Sequence, residues 1–171
     1  MASKKKKPSL DSCIVDKKGS VIVVLDNIRS LHNVGAIFRT CDGAGVKKIY
    51  LCGMTGTPPR REITKTAIGA EDTVPWEYRR YTLRLVKKLR EEGYQIVALE
   101  KNSQSEIFKK AKYRKKTCLI VGHEINGVKD SVLAQSDKIV HIPMYGIKES
   151  LNVATAFGIA VYEIASQLND L

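Results

Sequence analysis

From residue 21 onward, the chain alternates short apolar runs, many of them β-branched, with longer amphipathic stretches. The runs that predict strands are residues 21–25, 48–52, 95–99, 117–121 and 139–142, with a shorter one at 76–79. A strand buried on both faces is apolar throughout, and parallel strands need crossover connections between them. The alternation therefore predicts an α/β fold built on a parallel sheet.

The amphipathic stretches predict helices at about residues 34–44, 81–92 and 151–168, with a further helix starting near Val128. Gly45 and Gly93 follow the first two stretches directly. Glycine is favoured just after a helix because it adopts the left-handed conformation without strain. The two glycines therefore predict where these helices end.

Residues 1–20 contain Lys4 to Lys7 followed by Pro8, and they have no apolar periodicity. We expect a basic, flexible tail there and a single domain over residues 21–171, since a chain of this length can enclose one core. No apolar run approaches the roughly 20 residues that span a bilayer, and none follows the first lysines as it would in a secretory signal. A cytoplasmic protein without a membrane segment is predicted.

The four cysteines lie far apart, with no Cys-x-x-Cys pair and no histidine at zinc-ligand spacing. Neither a metal site nor a disulfide framework is indicated, and we expect reduced, mostly buried thiols.

The formal net charge is +11 and the isoelectric point is near 9.5, a balance that favours a polyanionic partner such as RNA. Residues 109–116 contain six basic residues interrupted by Tyr113. This segment is either a solvated loop or a contact for the RNA backbone. Phosphate contacts are predicted through it and through Arg60 and Arg61.

Several common enzyme classes are excluded by missing motifs. After the first strand the chain reads Asp26-Asn27-Ile28-Arg29 and has no G-x-G-x-x-G, so a Rossmann dinucleotide site is disfavoured. A phosphate-binding G-x-x-x-x-G-K-[ST] and a G-x-S-x-G nucleophile turn are also missing. His123-Glu124 starts like a zinc-protease motif, but Gly127 replaces its second histidine.

Three polar or glycine-containing segments, residues 31–40, 122–127 and 142–154, follow predicted strands. In parallel sheets the carboxyl ends of strands are where ligands bind, so these segments form the candidate site. In the first, Asn33 is a candidate helix cap and Arg39 lies within an apolar helix. A guanidinium there needs an acidic or phosphate partner, which is either a salt bridge or a ligand. In the third, Ser150 or Asn152 is a candidate cap of the last helix.

In this order, the segments resemble the three signature motifs of the SpoU (TrmH-like) branch of the SPOUT superfamily of RNA methyltransferases. The first resembles N-x-G-x-I-x-R-T, through Asn33, Gly35, Ile37, Arg39 and Thr40. The second matches G-x-E-x-x-G through Gly122, Glu124 and Gly127. The third matches I-P-M followed by S-L-N-V through Ile142, Pro143, Met144, Ser150, Leu151, Asn152 and Val153.

The resemblance implies a SPOUT fold, in which a parallel sheet carries a deep C-terminal trefoil knot, and it implies a homodimer. S-adenosylmethionine would bind in the knot, and the matching cofactor contacts are Leu99, Gly122, Ile142, Met144 and Leu151. An apolar stripe on the last predicted helix, which is core or a dimer seam rather than a cofactor contact, is consistent with the dimer. Its residues are Phe157, Val161, Ile164 and Leu168.

The resemblance further implies methylation of a ribose 2′-hydroxyl, with Arg39 as the activating residue. Because a guanidinium stays protonated at neutral pH, we expect Arg39 to bind a neighbouring phosphate and to stabilise developing alkoxide charge rather than to accept a proton. Asn33 and Asn152 would hold Arg39 and the RNA, Ser150 would act on the substrate side, and Glu124 would order the knot loop or Arg39 itself.

Two other functions are alternatives to this one. A base methyltransferase of another SPOUT branch would lack Arg39 in this motif. A catalytically silent RNA-binding or ribosome-assembly factor would have no need of Asn33, Arg39 and Ser150 together. Transfer RNA and ribosomal RNA are both candidate substrates. Transfer RNA is slightly favoured, since we see no separate amino-terminal domain of the kind that many ribosomal-RNA relatives add.

Overall fold

The computed structural model describes residues 20–169. The predicted tail, apart from Ser20, lies outside these residues, as does Cys13. In chain order the elements are β1 (Ser20–Asp26), α1 (Leu31–Gly43), β2 (Lys48–Cys52), α2 (Arg61–Ala67), α3 (Ala70–Thr73), β3 (Trp76–Arg79), α4 (Thr82–Glu91), β4 (Gln95–Leu99), β5 (Glu106–Ile107), β6 (Lys116–Val121), α5 (Asp130–Leu133), β7 (Lys138–His141) and α6 (Val153–Asn169).

The seven strands form one sheet in the order β3-β2-β1-β6-β4-β7-β5, and every pair is parallel. The predicted α/β fold with a parallel sheet is therefore confirmed. All strands share one direction, so their carboxyl ends meet at one edge, which we call the carboxyl edge. Their first residues define the opposite, amino edge.

Helices cover both faces of the sheet, as the doubly apolar strands require. Along β1, Val21, Val23 and Leu25 pack in a core with α1, α2, α3 and α6. The alternate residues Ile22 and Val24 pack in a second core with α4 and α5. The site-bearing helices α1 and α6 thus share one face, and they contact each other.

The apolar stripe of α6 belongs to the core of the single chain. Phe157, Val161 and Ile164 are fully buried and Leu168 is 7% exposed. They pack against the α1 side of the sheet. Of the two interpretations of this stripe, core is correct and dimer seam is wrong.

All the predicted elements form, several of them with shifted ends. Helix α1 begins at Leu31 rather than residue 34, because the Ser30 side chain caps it by accepting from the backbone N–H of Asn33 at 3.3 Å. The predicted cap at Asn33 is therefore wrong. The helix expected near Val128 is the single turn α5, and α6 begins two residues later than predicted. Among residues 20–169, no helix is long and apolar enough to cross a membrane.

Three elements were not predicted. Strand β5 has two residues, too few for a periodic pattern to show. Helices α2 and α3 are short, and α2 buries only Ile63 and Ala67. The predicted helix ends are confirmed, since Gly45 and Gly93 follow α1 and α4 with φ of 67° and 86°.

The described cysteines are free and buried: Cys41, Cys52 and Cys118. Burial raises the pKa of each thiol, that of Cys52 to about 12, so none forms a reactive thiolate at neutral pH. Within residues 20–169, no group of three or more metal-ligating side chains is found.

Candidate active site

A cleft opens at the carboxyl edge, where β4, β6 and β7 end and α6 begins. All five predicted cofactor residues line it: Leu99, Gly122, Ile142, Met144 and Leu151. Glu124 and Ser150 from the predicted catalytic set line it as well. The structure thus brings residues from three separate parts of the chain to one cleft, although their individual roles stay predictions.

One wall of the cleft is a tight turn that closes on itself. The N–H of His123 donates to the carbonyl of Gly127 at 3.1 Å, and the N–H of Gly127 donates to the carbonyl of His123 at 2.8 Å. A Cβ on Gly122 would overlap the backbone of Gly127, so no larger residue fits there. Gly127 itself has a φ of 64°, which favours glycine. The glycines of this motif are therefore required by the shape of the turn.

Glu100 is a functional candidate that the sequence interpretation missed. Its Oε2 accepts a hydrogen bond from the N–H of Val128 at 2.9 Å, and a Cβ on Gly127 would collide with its carboxylate. Glu100 thus supports the turn while lining the cleft. Its position directly after β4, at the ligand-binding end of a parallel strand, is the signal that would have identified it.

The lining of the cleft suits a ligand that combines apolar and cationic groups. Three carboxylates, from Glu100, Glu124 and Glu149, line it, against one ammonium from Lys101. A partly buried apolar floor is supplied by half-buried strand ends such as Leu99. S-adenosylmethionine has an adenine ring, a sulfonium and an ammonium, and these residues fit such a group.

The Glu124 carboxylate joins all three motifs. It accepts hydrogen bonds from the backbone N–H groups of Arg29 and Ser30 at 3.1 and 3.0 Å, and from the Asn33 side chain at 3.2 Å. Asn33 Oδ1 in turn accepts from the Asn152 side chain at 3.1 Å. Burial alone would raise the pKa of Glu124, but these hydrogen bonds outweigh it and hold the pKa below its usual value. Glu124 is therefore ionised at neutral pH.

Asn152 has a second contact that fixes the start of α6. Its Oδ1 accepts from the N–H of Ala154 at 2.9 Å, which makes Asn152, rather than Ser150, the cap of this helix. Ser150 is exposed at the rim of the cleft. It is thus accessible to a substrate, and its role on the substrate side stays a prediction.

Arg39 lies on the exposed side of α1 and does not line the cleft of its own chain. Within the described part of the chain, no hydrogen bond or ion pair engages its guanidinium, so the salt-bridge interpretation finds no partner there. Within this chain Glu124 and Asn152 each bond Asn33, and none of the three contacts Arg39, so their predicted roles in holding Arg39 or ordering the knot loop stay predictions. The guanidinium is available to a ligand or to another subunit.

The basic segment 109–116 ends far from the cleft. The Gln95 side chain accepts from the N–H of Arg114 at 2.9 Å and donates to the carbonyl of Lys112 at 3.3 Å. Gln95 begins the five-residue β4, which places the amino edge about 17 Å from the carboxyl edge. Residues 112–116 therefore lie at the edge opposite the cleft. Their contact with RNA stays a prediction without geometric support.

Arg60 and Arg61, the other predicted phosphate contacts, are exposed at the start of α2. Helix α2 packs closely on α1, since a Cβ on Gly35 would overlap the carbonyl of Ile63. The two arginines thus flank the helix that carries Arg39, and this location is compatible with their predicted role.

Comparison with known proteins identifies relatives over nearly the whole described chain. Residues 20–162 match the model of the SpoU rRNA Methylase family. A tRNA (guanosine(18)-2′-O)-methyltransferase of Aquifex aeolicus is 36% identical over 154 residues, 88% of this chain and 71% of that protein. The 23S rRNA (guanosine-2′-O-)-methyltransferase RlmB of Vibrio vulnificus is 30% identical over 92% of this chain and 64% of that protein.

Solved structures of related proteins have the same fold as this chain. The A. aeolicus TrmH/SpoU tRNA modifying enzyme superposes with a TM-score of 0.81 at 33% identity, covering 90% of this chain and 79% of that one. The AdoMet-bound rRNA methyltransferase from Sinorhizobium meliloti gives 0.82 at 30% identity, covering 90% of this chain and 58% of that one. The family predicted from the three motifs is confirmed, and the chain belongs to the SpoU rRNA Methylase family.

Proposed function

We propose that this chain transfers a methyl group from S-adenosylmethionine to a ribose 2′-hydroxyl of transfer RNA or ribosomal RNA. The observation that carries the proposal is the convergence of the three motifs, joined through Glu124, Asn33 and Asn152, beside a cleft lined by all five predicted cofactor residues. Support also comes from the relatives, which are named as guanosine-2′-O-methyltransferases of tRNA and of 23S rRNA.

Some residues of the chain would hold the cofactor, and others would orient the loop before α1 and the substrate. When bound, S-adenosylmethionine supplies an electrophilic methyl group on a sulfonium. The turn that begins at Gly122 and the apolar residues Leu99, Ile142, Met144 and Leu151 would hold the adenosine part. Glu124 fixes the loop before α1, and Ser150 meets the substrate at the rim. Holding the ribose oxygen in line with the methyl group supplies much of the acceleration.

Arg39 would bind the phosphate beside the target ribose. A guanidinium stays protonated at neutral pH, so it donates hydrogen bonds and charge and does not accept the hydroxyl proton. A planar, bidentate fork suits a phosphate. Charge that develops on the ribose oxygen is stabilised by the same cation, which needs no reorganisation during the reaction, and the hydroxyl proton passes to solvent water as the methyl group leaves the sulfonium.

The proposed active unit is a homodimer in which Arg39 serves a site completed by the partner. Two observations support this: Arg39 lies outside the cleft of its own chain, and α6 and the loop before it leave apolar side chains exposed. Leu151, Ile159 and Tyr162 are 37%, 40% and 53% exposed. These residues replace the buried stripe as the basis of the dimer proposal.

Sedimentation at micromolar concentration should therefore give about twice the 19.0 kDa mass of the chain. Replacing Ile159 and Tyr162 together by lysine should shift the protein towards monomer, because charges would be buried at the seam. A wild-type protein that sediments as a monomer at these concentrations would refute the dimer.

We also propose the deep trefoil knot for the carboxyl-terminal part of the domain formed by residues 21–171. The strand order supports it: β7 lies between β4 and β5, so residues 100–105 cross the carboxyl end of β7. The Ser105 hydroxyl lies 2.9 Å from His141 Nδ1 at this crossing. Passage of residues 142–152 beneath this crossing would form the knot. An RNA-modifying role is consistent with the proposed cytoplasmic location.

The function is tested by two measurements on the purified protein. Isothermal titration with S-adenosylmethionine should show binding, and incubation with fractionated transfer and ribosomal RNA should yield a 2′-O-methylated nucleoside by mass spectrometry. A nucleoside methylated on its base would instead identify a base methyltransferase. Absence of both cofactor binding and product would refute the proposed function, and retained binding of RNA in that case would indicate a catalytically silent RNA-binding factor.

A further inference from the structure

A groove of cations and one tyrosine lies at the outer strand of the sheet, outside the candidate active site. We call it the β3–α4 groove, and it is lined by Arg79, Arg80, Tyr81, Arg84, Leu85 and Lys88. It begins where β3 reaches the carboxyl edge, the same edge at which the cofactor cleft opens. Neither the three motifs nor the predicted RNA contacts include any of these residues.

The charges of this groove are only partly neutralised. Arg79 pairs with Glu77, and Lys88 lies 3.7 Å from Glu92. Arg80 and Arg84 are exposed and form no ion pair with any carboxylate in residues 20–169. Two guanidinium groups are therefore free to bind an anion at this surface.

Tyr81 gives the groove an exposed aromatic face. Its side chain is 61% exposed, and the Arg80 guanidinium lies 5.4 Å from the ring centroid. A solvated basic helix face, the simplest alternative, would not require an exposed ring among its cations. An aromatic ring beside arginines is the combination that binds a nucleobase and its phosphate in single-stranded nucleic-acid sites.

A second groove extends from the first towards the cofactor cleft. It shares Arg80 and Tyr81 and adds Asn27, Gly53 and Lys129, among others, at the carboxyl ends of β1 and β2.

The second groove also presents a cationic surface. Asp26 is its only acidic residue. That side chain is 1% exposed, and its Oδ1 accepts hydrogen bonds from Asn27 and Thr82. Arg80 and Lys129 therefore dominate the charge that a ligand would meet.

We propose that the β3–α4 groove and its extension bind the RNA nucleotides that flank the methylated ribose. Arg80, Arg84 and Lys129 bind phosphates, and one base stacks on Tyr81. This inference rests on the proposed function, because it assumes that RNA is the substrate. Three strand intervals separate β3 from β6, a distance of about 14 Å. About four stacked nucleotides span that distance. A single strand can thus reach from the cleft to Tyr81.

Charge reversal tests the phosphate contacts. The probe is a fluorescein-labelled single-stranded RNA of about 12 nucleotides, within the roughly 4–16 that such sites cover, and anisotropy is measured at several salt concentrations. For Arg80→Glu with Arg84→Glu, affinity should fall at least roughly tenfold at low salt. The slope of log K against log salt should flatten by about 1.4, because each single-strand phosphate contact contributes about 0.7.

The matched control is Lys47→Glu with Lys87→Glu, which changes the net charge equally at two exposed lysines that line neither groove and belong to none of the predicted RNA contacts. An affinity loss in this control equal to that of the arginine pair would show a general charge effect and overturn the proposal. The control should instead retain most of the affinity, and both double variants should keep the melting temperature of the wild type, since all four side chains are exposed.

Tyr81 variants test the stacking separately from charge. Tyr81→Ala should lower affinity by roughly 5- to 100-fold, the range of base–aromatic stacking, whereas Tyr81→Phe keeps the ring and should bind like wild type. Equal binding by Tyr81→Ala and the wild type would rule out a stacked base.

Failure of this inference is distinguishable from failure of the proposed function. If wild type binds the probe and methylates RNA but the groove variants behave like wild type, only the groove proposal falls. If wild type neither binds the probe nor yields a methylated nucleoside, both fall. All groove variants should bind S-adenosylmethionine as wild type does, because none of the changed residues lines the cofactor cleft.

Discussion

Replacing Arg39 by alanine should lower the rate of methyl transfer by about 10²–10³-fold at saturating RNA, the size of effect seen when one preorganised charge-stabilising donor is removed. Affinity for S-adenosylmethionine should stay within a few-fold of wild type, because Arg39 does not line the cleft. Single-turnover kinetics and isothermal titration measure the two quantities. Arg39 is exposed on α1, and its guanidinium forms no hydrogen bond or ion pair within the described residues. The fold should therefore be retained in the variant.

Arg39→Lys separates positioning from proton abstraction. Lysine keeps the positive charge but loses the planar fork that binds phosphate at two points, so a large loss of rate is expected here too. Lysine also has a more accessible pKa, about 10.4. A rate that climbs to nearly the wild-type value at high pH would contradict the positioning role and favour a general base. A low, flat pH profile would support positioning.

Substitution of Gly122 by alanine is expected to damage the cofactor site. The added methyl would overlap the Gly127 backbone, which cannot move without opening the turn that His123 and Gly127 close. Strain of this kind amounts to about 1–3 kcal/mol, so we expect a lower melting temperature and a roughly 10- to 100-fold loss of affinity for S-adenosylmethionine. Differential scanning fluorimetry and isothermal titration would measure these changes.

Gly146→Ala is the matched control for Gly122→Ala. It adds the same methyl to a glycine near the same edge, but no atom lies within 4 Å of the new Cβ. Its stability should stay within about 0.5 kcal/mol of wild type. If Gly122→Ala binds the cofactor as tightly as Gly146→Ala does, the turn does not shape the site.

The sheet could be predicted from the sequence because its strands carry their own signal. Strands β2, β3 and β4 have the predicted bounds, since each is a distinct run rich in apolar or aromatic residues. The strand order could not be predicted, because β7 inserts between β4 and β5 through contacts that no local pattern encodes. Helix α2 was missed for the opposite reason: its polar residues reveal no apolar face.

The candidate site was predicted in composition but not in contacts. The five predicted cofactor residues reach one cleft because each ends or follows a strand of a parallel sheet or lies in the loop that opens α6. By contrast, Asn33 bonds Glu124 and Asn152 across 91 and 119 residues of sequence. Such pairs depend on tertiary packing, which is why these contacts could not be predicted from the sequence.

The Glu124 carboxylate has a thermodynamic consequence. It lines the cofactor cleft, yet its hydrogen bonds hold the loop and helix that precede Arg39. A ligand that shifts the turn at Gly122 would therefore also shift the loop and helix that these bonds hold. Linkage makes such an effect reciprocal, so RNA would change the affinity for S-adenosylmethionine by the same factor as S-adenosylmethionine changes the affinity for RNA. The two substrates are thus expected to bind cooperatively rather than independently.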